Sequence, residues 1–98
     1  MYKIKKEVLI ACEEVFGLEM QKLLVIEEMS ELTKEIIKNV RGKDNRDAIV
    51  EEMADVLNMF DQMLSIYEIS DDELDNARIS KVLRLTERIE KKRSEKNA

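Results

Sequence analysis

Gly17 and Gly42 are the only glycines in a chain of 98 residues that has no proline. Proline costs a helix interior about 3 kcal/mol and glycine about 1 kcal/mol relative to alanine. Away from those two points, nothing here interrupts a helix. Glu, Lys, Leu, Ile and Met dominate what remains, and with 44% hydrophobic and 40% charged residues the chain reads as helical rather than disordered.

The breaks divide the chain into four helical stretches. The first spans about 3–16 and ends at Gly17; the second spans about 18–40 and ends in the loop Arg41-Gly42-Lys43-Asp44-Asn45. Asp44 or Asn45 is placed to cap a third helix over about 46–68. Ser70 with Glu73 reads as a capping box opening a fourth, over about 70–92, before a polar tail at about 93–98. The expected fold is all-α: an antiparallel bundle of about four helices in a single domain, 1–98, completed by oligomerisation because so short a chain buries only a modest core. Val25, Met29, Leu32 and Ile36 form the expected buried stripe of the second helix, and Ile49, Met53, Val56, Phe60, Leu64 and Tyr67 that of the third. Val82, Leu85 and Ile89 continue the pattern in the fourth.

Residues 25–32 and 49–56 are nearly the same segment twice. Val-Ile-Glu-Glu-Met-Ser-Glu-Leu aligns with Ile-Val-Glu-Glu-Met-Ala-Asp-Val, with Glu-Glu-Met identical and the other pairs exchanged like for like. Positions i and i+3 lie roughly 60° apart on a helix. Glu28 and Glu31 therefore point together beside one stripe, and Glu52 and Asp55 do so beside the other. If the stripes pack, the four carboxylates converge at one edge of the seam. Glu27 and Glu51 fall roughly 160° from the stripe centres and face water. A single acidic pair at i,i+3 usually sits on a solvated face. A matched pair of them beside two core stripes is a better candidate for a cation site, because carboxylates held close repel unless a proton or a cation neutralises them.

Composition narrows the cation. The chain has no His and one Cys, Cys12, which excludes Ser-His-Asp and Cys-His catalysis, His-bearing di-iron sites and a conventional zinc site. An all-oxygen donor set suits Mg²⁺, with Mn²⁺ the alternative. A net charge of −5 disfavours a polymeric nucleic acid, and 4% aromatic residues leave little for base stacking. No apolar run is long enough for a secretion signal or a membrane span, and one unpaired cysteine fits a reducing compartment, so the expected location is cytoplasmic with no membrane partner.

Glu28-x-x-Glu31 followed by Glu52-x-x-Asp55, set within Gln21-Lys-Leu-Leu-Val-Ile-Glu-Glu-Met-Ser-Glu-Leu and Ile49-Val-Glu-Glu-Met-Ala-Asp-Val-Leu, resembles the double motif of the MazG-like all-α nucleoside-triphosphate pyrophosphohydrolases. The resemblance covers residues 16–89. It implies that Glu28, Glu31, Glu52 and Asp55 hold Mg²⁺ as the catalytic centre. It also implies that a (deoxy)nucleoside triphosphate is hydrolysed by metal-activated water to the monophosphate and pyrophosphate, in a homodimer or homotetramer. Lys81, Arg84 and Arg88 share a helix face and are similar to the family's basic segment that follows the second motif, which makes them candidates for holding substrate phosphates. An ordinary exposed face with pairs such as Glu87–Lys91 explains them equally well. Gln21, Glu35 and Asn58 lie on or near the motif rows and are candidates for base contacts or for outer contacts around the metal. Arg41 and Lys43 in the loop are further phosphate candidates. Two other functions fit the same sequence: a helical protein-interaction module, and a nucleotide-binding regulator without turnover.

Overall fold

The computed structural model describes residues 1–97. They form four α-helices: α1 (Lys6–Phe16), α2 (Leu18–Val40), α3 (Arg46–Ile66) and α4 (Asp71–Asn97). No described residue lies in a strand, and no helix is long and apolar enough to cross a membrane. Residues 1–68 form one compact unit containing α1 to α3; α4 belongs to a second, which begins at Ile69.

Gly17 serves two helices at once. At φ 81° it occupies a conformation that side chains with a Cβ rarely adopt. Its N–H closes α1 on the Glu13 carbonyl at 3.0 Å, and its carbonyl accepts the Gln21 N–H that opens α2. Gly42, at φ 103°, turns the chain between α2 and α3 in the same way. The resulting α2–α3 hairpin is antiparallel. Glu35, near the end of α2, meets Asn45 at the start of α3, while Lys22, near the start of α2, lies 4.7 Å over the Tyr67 ring that follows α3.

The chain before α1 is extended and tied to α3. Asp61 accepts the Ile4 N–H at 2.9 Å and pairs with Lys3 at 3.2 Å. These contacts hold residues 3–5 out of the helix, so α1 starts at Lys6 rather than near Lys3. Ser65 donates to Glu13 at 3.1 Å and ties the other end of α1 to the same helix.

The seam between α2 and α3 keeps Val25, Leu32, Ile49 and Val56 of the expected stripes but differs in the rest. Val25, Val56 and Met59 are the buried apolar side chains among the described residues, and Gln21 and Asn45 are the buried polar ones. Met29, Ile36, Met53, Phe60 and Tyr67, all expected inside, are roughly half exposed. The seam instead runs Gln21–Val25–Glu28–Leu32–Glu35 on α2 and Ile49–Glu52–Val56–Met59–Met63 on α3, each row alternating steps of three and four residues. Both helices carry a second apolar row about 60–90° from the seam centre. On an antiparallel pair, Met29 and Ile36 therefore share one flank with Met53 and Phe60, opposite Glu31 and Asp55.

Two terminal features also differ. Asn45 occupies the N-cap position of α3, but its side chain makes no capping bond. The residues expected as a polar tail, 93–97, continue α4, because Arg, Ser, Glu and Lys sustain a helix once it is begun. Position 98 lies outside the described residues. Ser70 does cap α4, accepting the Glu73 N–H at 3.1 Å.

Candidate metal centre

Because α2 and α3 run antiparallel, residues seven positions from each end of the Glu35–Asn45 contact come opposite each other. Those residues are Glu28 and Glu52. Each is half-buried in the seam rather than at its edge, and Asp55 lies one turn further along α3 on the open flank. Glu28, Glu52 and Asp55 each offer an oxygen within 4.8 Å of the other two. Glu31, the fourth expected ligand, turns to Lys34, whose ammonium donates to its carboxylate at 3.3 Å. Glu27 and Glu51 are exposed.

The electrostatics follow from this crowding. Removal from water, then the carboxylates of Asp55 and Glu52, push the Glu28 carboxyl above its usual range. Removal from water, then Asp55 and Glu31, do the same to Glu52. One oxygen of Glu52, Oε2, is buried and has no hydrogen-bond partner. Buried carboxylate oxygens are costly unless paired, so the site calls for a proton or a cation.

A hard divalent ion fits this donor set. Two oxygens on opposite sides of Mg²⁺ are about 4.2 Å apart. At most one pair among three ligands can sit opposite, and adjacent oxygens lie about 3 Å apart. Oxygens within 4.8 Å of one another would therefore close further around an ion, and the exposed Asp55 side chain has room to move. Glu28, Glu52 and Asp55 would be the protein ligands, leaving positions for water or phosphate oxygens.

Glu35 behaves differently from its neighbours. Lys38 pairs with it at 3.0 Å, and the Asn45 amide donates to its carbonyl at 2.9 Å and its carboxylate at 3.3 Å. The Lys38 and Asn45 hydrogen bonds lower the Glu35 carboxyl below its usual range. Gln21, expected near a base, is 1% exposed and donates to the Gly17 carbonyl at 3.3 Å, so its amide is turned back to the junction of α1 and α2. Asn58 is exposed on α3, one turn beyond Asp55. Lys81, Arg84 and Arg88 form one exposed face of α4, and Arg41 and Lys43 are exposed in the α2–α3 loop. Asn45 was not among the expected site residues; a buried Asn just after a loop reads in sequence as nothing more than a helix cap.

These shifts give a pH dependence with a definite sign. Glu28 and Glu52, being raised, contribute stability at low pH that is lost as pH rises through their folded-state values. Glu35, being lowered, contributes stability above the ordinary carboxylate range that is lost as pH falls through its own value. The metal-free protein is therefore expected to be most heat-stable on the acid side of neutrality. An ion held by these carboxylates would favour their charged forms, so saturating Mg²⁺ is expected to move the optimum towards neutral pH. Melting curves with EDTA and with Mg²⁺ check this, and a metal-free melting temperature that climbs steadily from pH 5 to pH 8 contradicts it.

Comparisons of the chain with protein-family models, with curated proteins and with solved structures found no match.

Proposed function

We propose that this chain is a Mg²⁺-dependent nucleoside-triphosphate pyrophosphohydrolase of the MazG-like kind. The observation that carries the reading is the convergence of Glu28, Glu52 and Asp55 from the two copies of the acidic octet onto one all-oxygen cluster. The resemblance of the paired motifs supplies the reaction. Held there, Mg²⁺ supplies Lewis-acid polarisation of the phosphates and of the attacking water. Glu28, Glu52 and Asp55 would hold the ion, and Glu31, now paired with Lys34, would be the fourth carboxylate on that flank. Water adds to the α-phosphorus, the bond to the α–β bridging oxygen breaks, and pyrophosphate leaves with the bridging oxygen.

Self-association belongs to the same proposal. Met29, Ile36, Met53 and Phe60 present a half-exposed apolar flank, which a homodimer or homotetramer would cover. The same flank favours a second reading, a helical module that binds a different protein through it. Calorimetry with Mg²⁺ and a triphosphate separates the readings. Binding followed by continuing heat release supports the hydrolase. Binding alone indicates a nucleotide-binding regulator, and no binding leaves the interaction module.

A further inference from the structure

Asn45 is 7% exposed, and its whole side chain is committed. Its amide nitrogen donates to the Glu35 carbonyl and carboxylate, and its oxygen accepts from Asn39 at 3.3 Å. Its backbone carbonyl meanwhile starts α3 by accepting the Ile49 N–H at 3.1 Å. One residue thus fixes the first turn of α3 to a particular turn of α2.

The seam needs such a fixed point. Its mid-section places carboxylates of Glu28 and Glu52 between helices that must pack together, and few apolar side chains there resist sliding by a turn. Apolar contacts of this kind tolerate several alignments, whereas a buried polar group satisfied in only one alignment specifies it. Seven residues, or about 10.5 Å of helix, separate Glu35 from Glu28 on one helix and Asn45 from Glu52 on the other. Aligning the first pair aligns the second. A slip of one turn, about 5.4 Å, would separate the three oxygens now within 4.8 Å.

We infer that Asn45 is a positioning residue for the acidic cluster, setting the α2–α3 register that brings Glu52 and Asp55 to Glu28 through its hydrogen bonds to Glu35. This rests on the reading of the cluster as a Mg²⁺ site, but the register it describes exists without the metal. Glu35 then acts through its carbonyl and its Asn45 contact, and not as a ligand.

Two readouts on Asn45→Ala, Asn45→Asp and Glu35→Gln test it. The metal-free readout is the ring-current shift of the Lys22 side chain under Tyr67, which reports the register at the far end of the hairpin. Calorimetric titration with Mg²⁺ alone is the second, with helix content checked by circular dichroism. Asn45→Ala and Asn45→Asp, which lose the donor, are expected to diminish the Lys22 shift and weaken Mg²⁺ binding by about 10–100-fold. Glu35→Gln, which keeps the acceptors, should preserve the shift and hold Mg²⁺ affinity within about threefold. An unchanged Lys22 shift in folded Asn45→Ala and Asn45→Asp overturns the inference whether or not the metal binds. Loss of Mg²⁺ binding in Glu35→Gln with the shift intact also overturns it, since Glu35 would then be a ligand. Wild-type protein that binds no Mg²⁺ removes the metal reading and leaves the register claim to the first readout.

Discussion

Glu52→Gln is expected to abolish nucleotide turnover while making the metal-free protein more resistant to heat. The two effects have one cause. Glu52 is drawn out of water beside Asp55, with one oxygen lacking any partner, so its charge opposes the closure of α2 on α3. An amide of the same shape removes that charge and is expected to raise the metal-free melting temperature. It also removes a proposed metal ligand, and on that reading turnover should fall by a factor on the order of 10²–10³ or more. Glu28→Gln should behave the same way, because Glu28 is raised by the same crowding. Glu27→Gln and Glu51→Gln alter exposed side chains and should leave turnover within about twofold. Melting curves in EDTA together with pyrophosphate-release rates check all four. Mg²⁺-dependent release that persists in both Glu28→Gln and Glu52→Gln contradicts the site.

Met59→Ala is expected to produce the largest loss of stability among core substitutions. Met59 is buried on α3 in a seam that buries few other apolar side chains. Truncating a buried Met to Ala costs about 2–5 kcal/mol, while a unit of this size has only about 5 kcal/mol in all. Met53→Ala makes the same chemical change on the half-exposed flank and should cost less than about 1 kcal/mol in dilute protein. Urea unfolding distinguishes the two. Any further loss from Met53→Ala that grows with protein concentration marks the self-association proposed for that flank. Equal losses at high dilution contradict the placement of the seam.

The contrast between Met59 and Met53 shows where the sequence was legible. The scarcity of breakers located the turns at Gly17 and Gly42, and Ser70 marked the start of α4 correctly. The face that α2 and α3 present to each other was legible only in part from hydrophobicity: Val25, Leu32, Ile49 and Val56 lie in the seam as expected, whereas Met29, Ile36, Met53 and Phe60 do not. Each helix carries two adjacent apolar rows, and a wheel cannot tell which one packs inside the protomer. The expected stripes mixed the two rows, joining Val25 and Leu32 with Met29 and Ile36, and Ile49 and Val56 with Met53 and Phe60. The hairpin instead closes on a row containing Gln21, Glu28, Glu35 and Glu52. That choice depends on pairings across the loop, Asn45 with Glu35 above all, which no periodicity records. Three of the four carboxylates that the repeated octet was expected to bring together, Glu28, Glu52 and Asp55, are nonetheless neighbours, although the stripes expected to pack form the seam only in part. The repeat placed them at the edge of the seam, while Glu28 and Glu52 lie within it. It could not foresee that Glu31 turns to Lys34.

The most direct test of the central claim is ³¹P NMR of a nucleoside triphosphate incubated with the protein, with and without Mg²⁺, across ribo- and deoxyribonucleotides. The account predicts that at least one triphosphate gives equal amounts of nucleoside monophosphate and pyrophosphate, only when Mg²⁺ is present. Diphosphate with orthophosphate would place the cleavage at the wrong bond. An unchanged spectrum for every triphosphate would contradict the hydrolase itself.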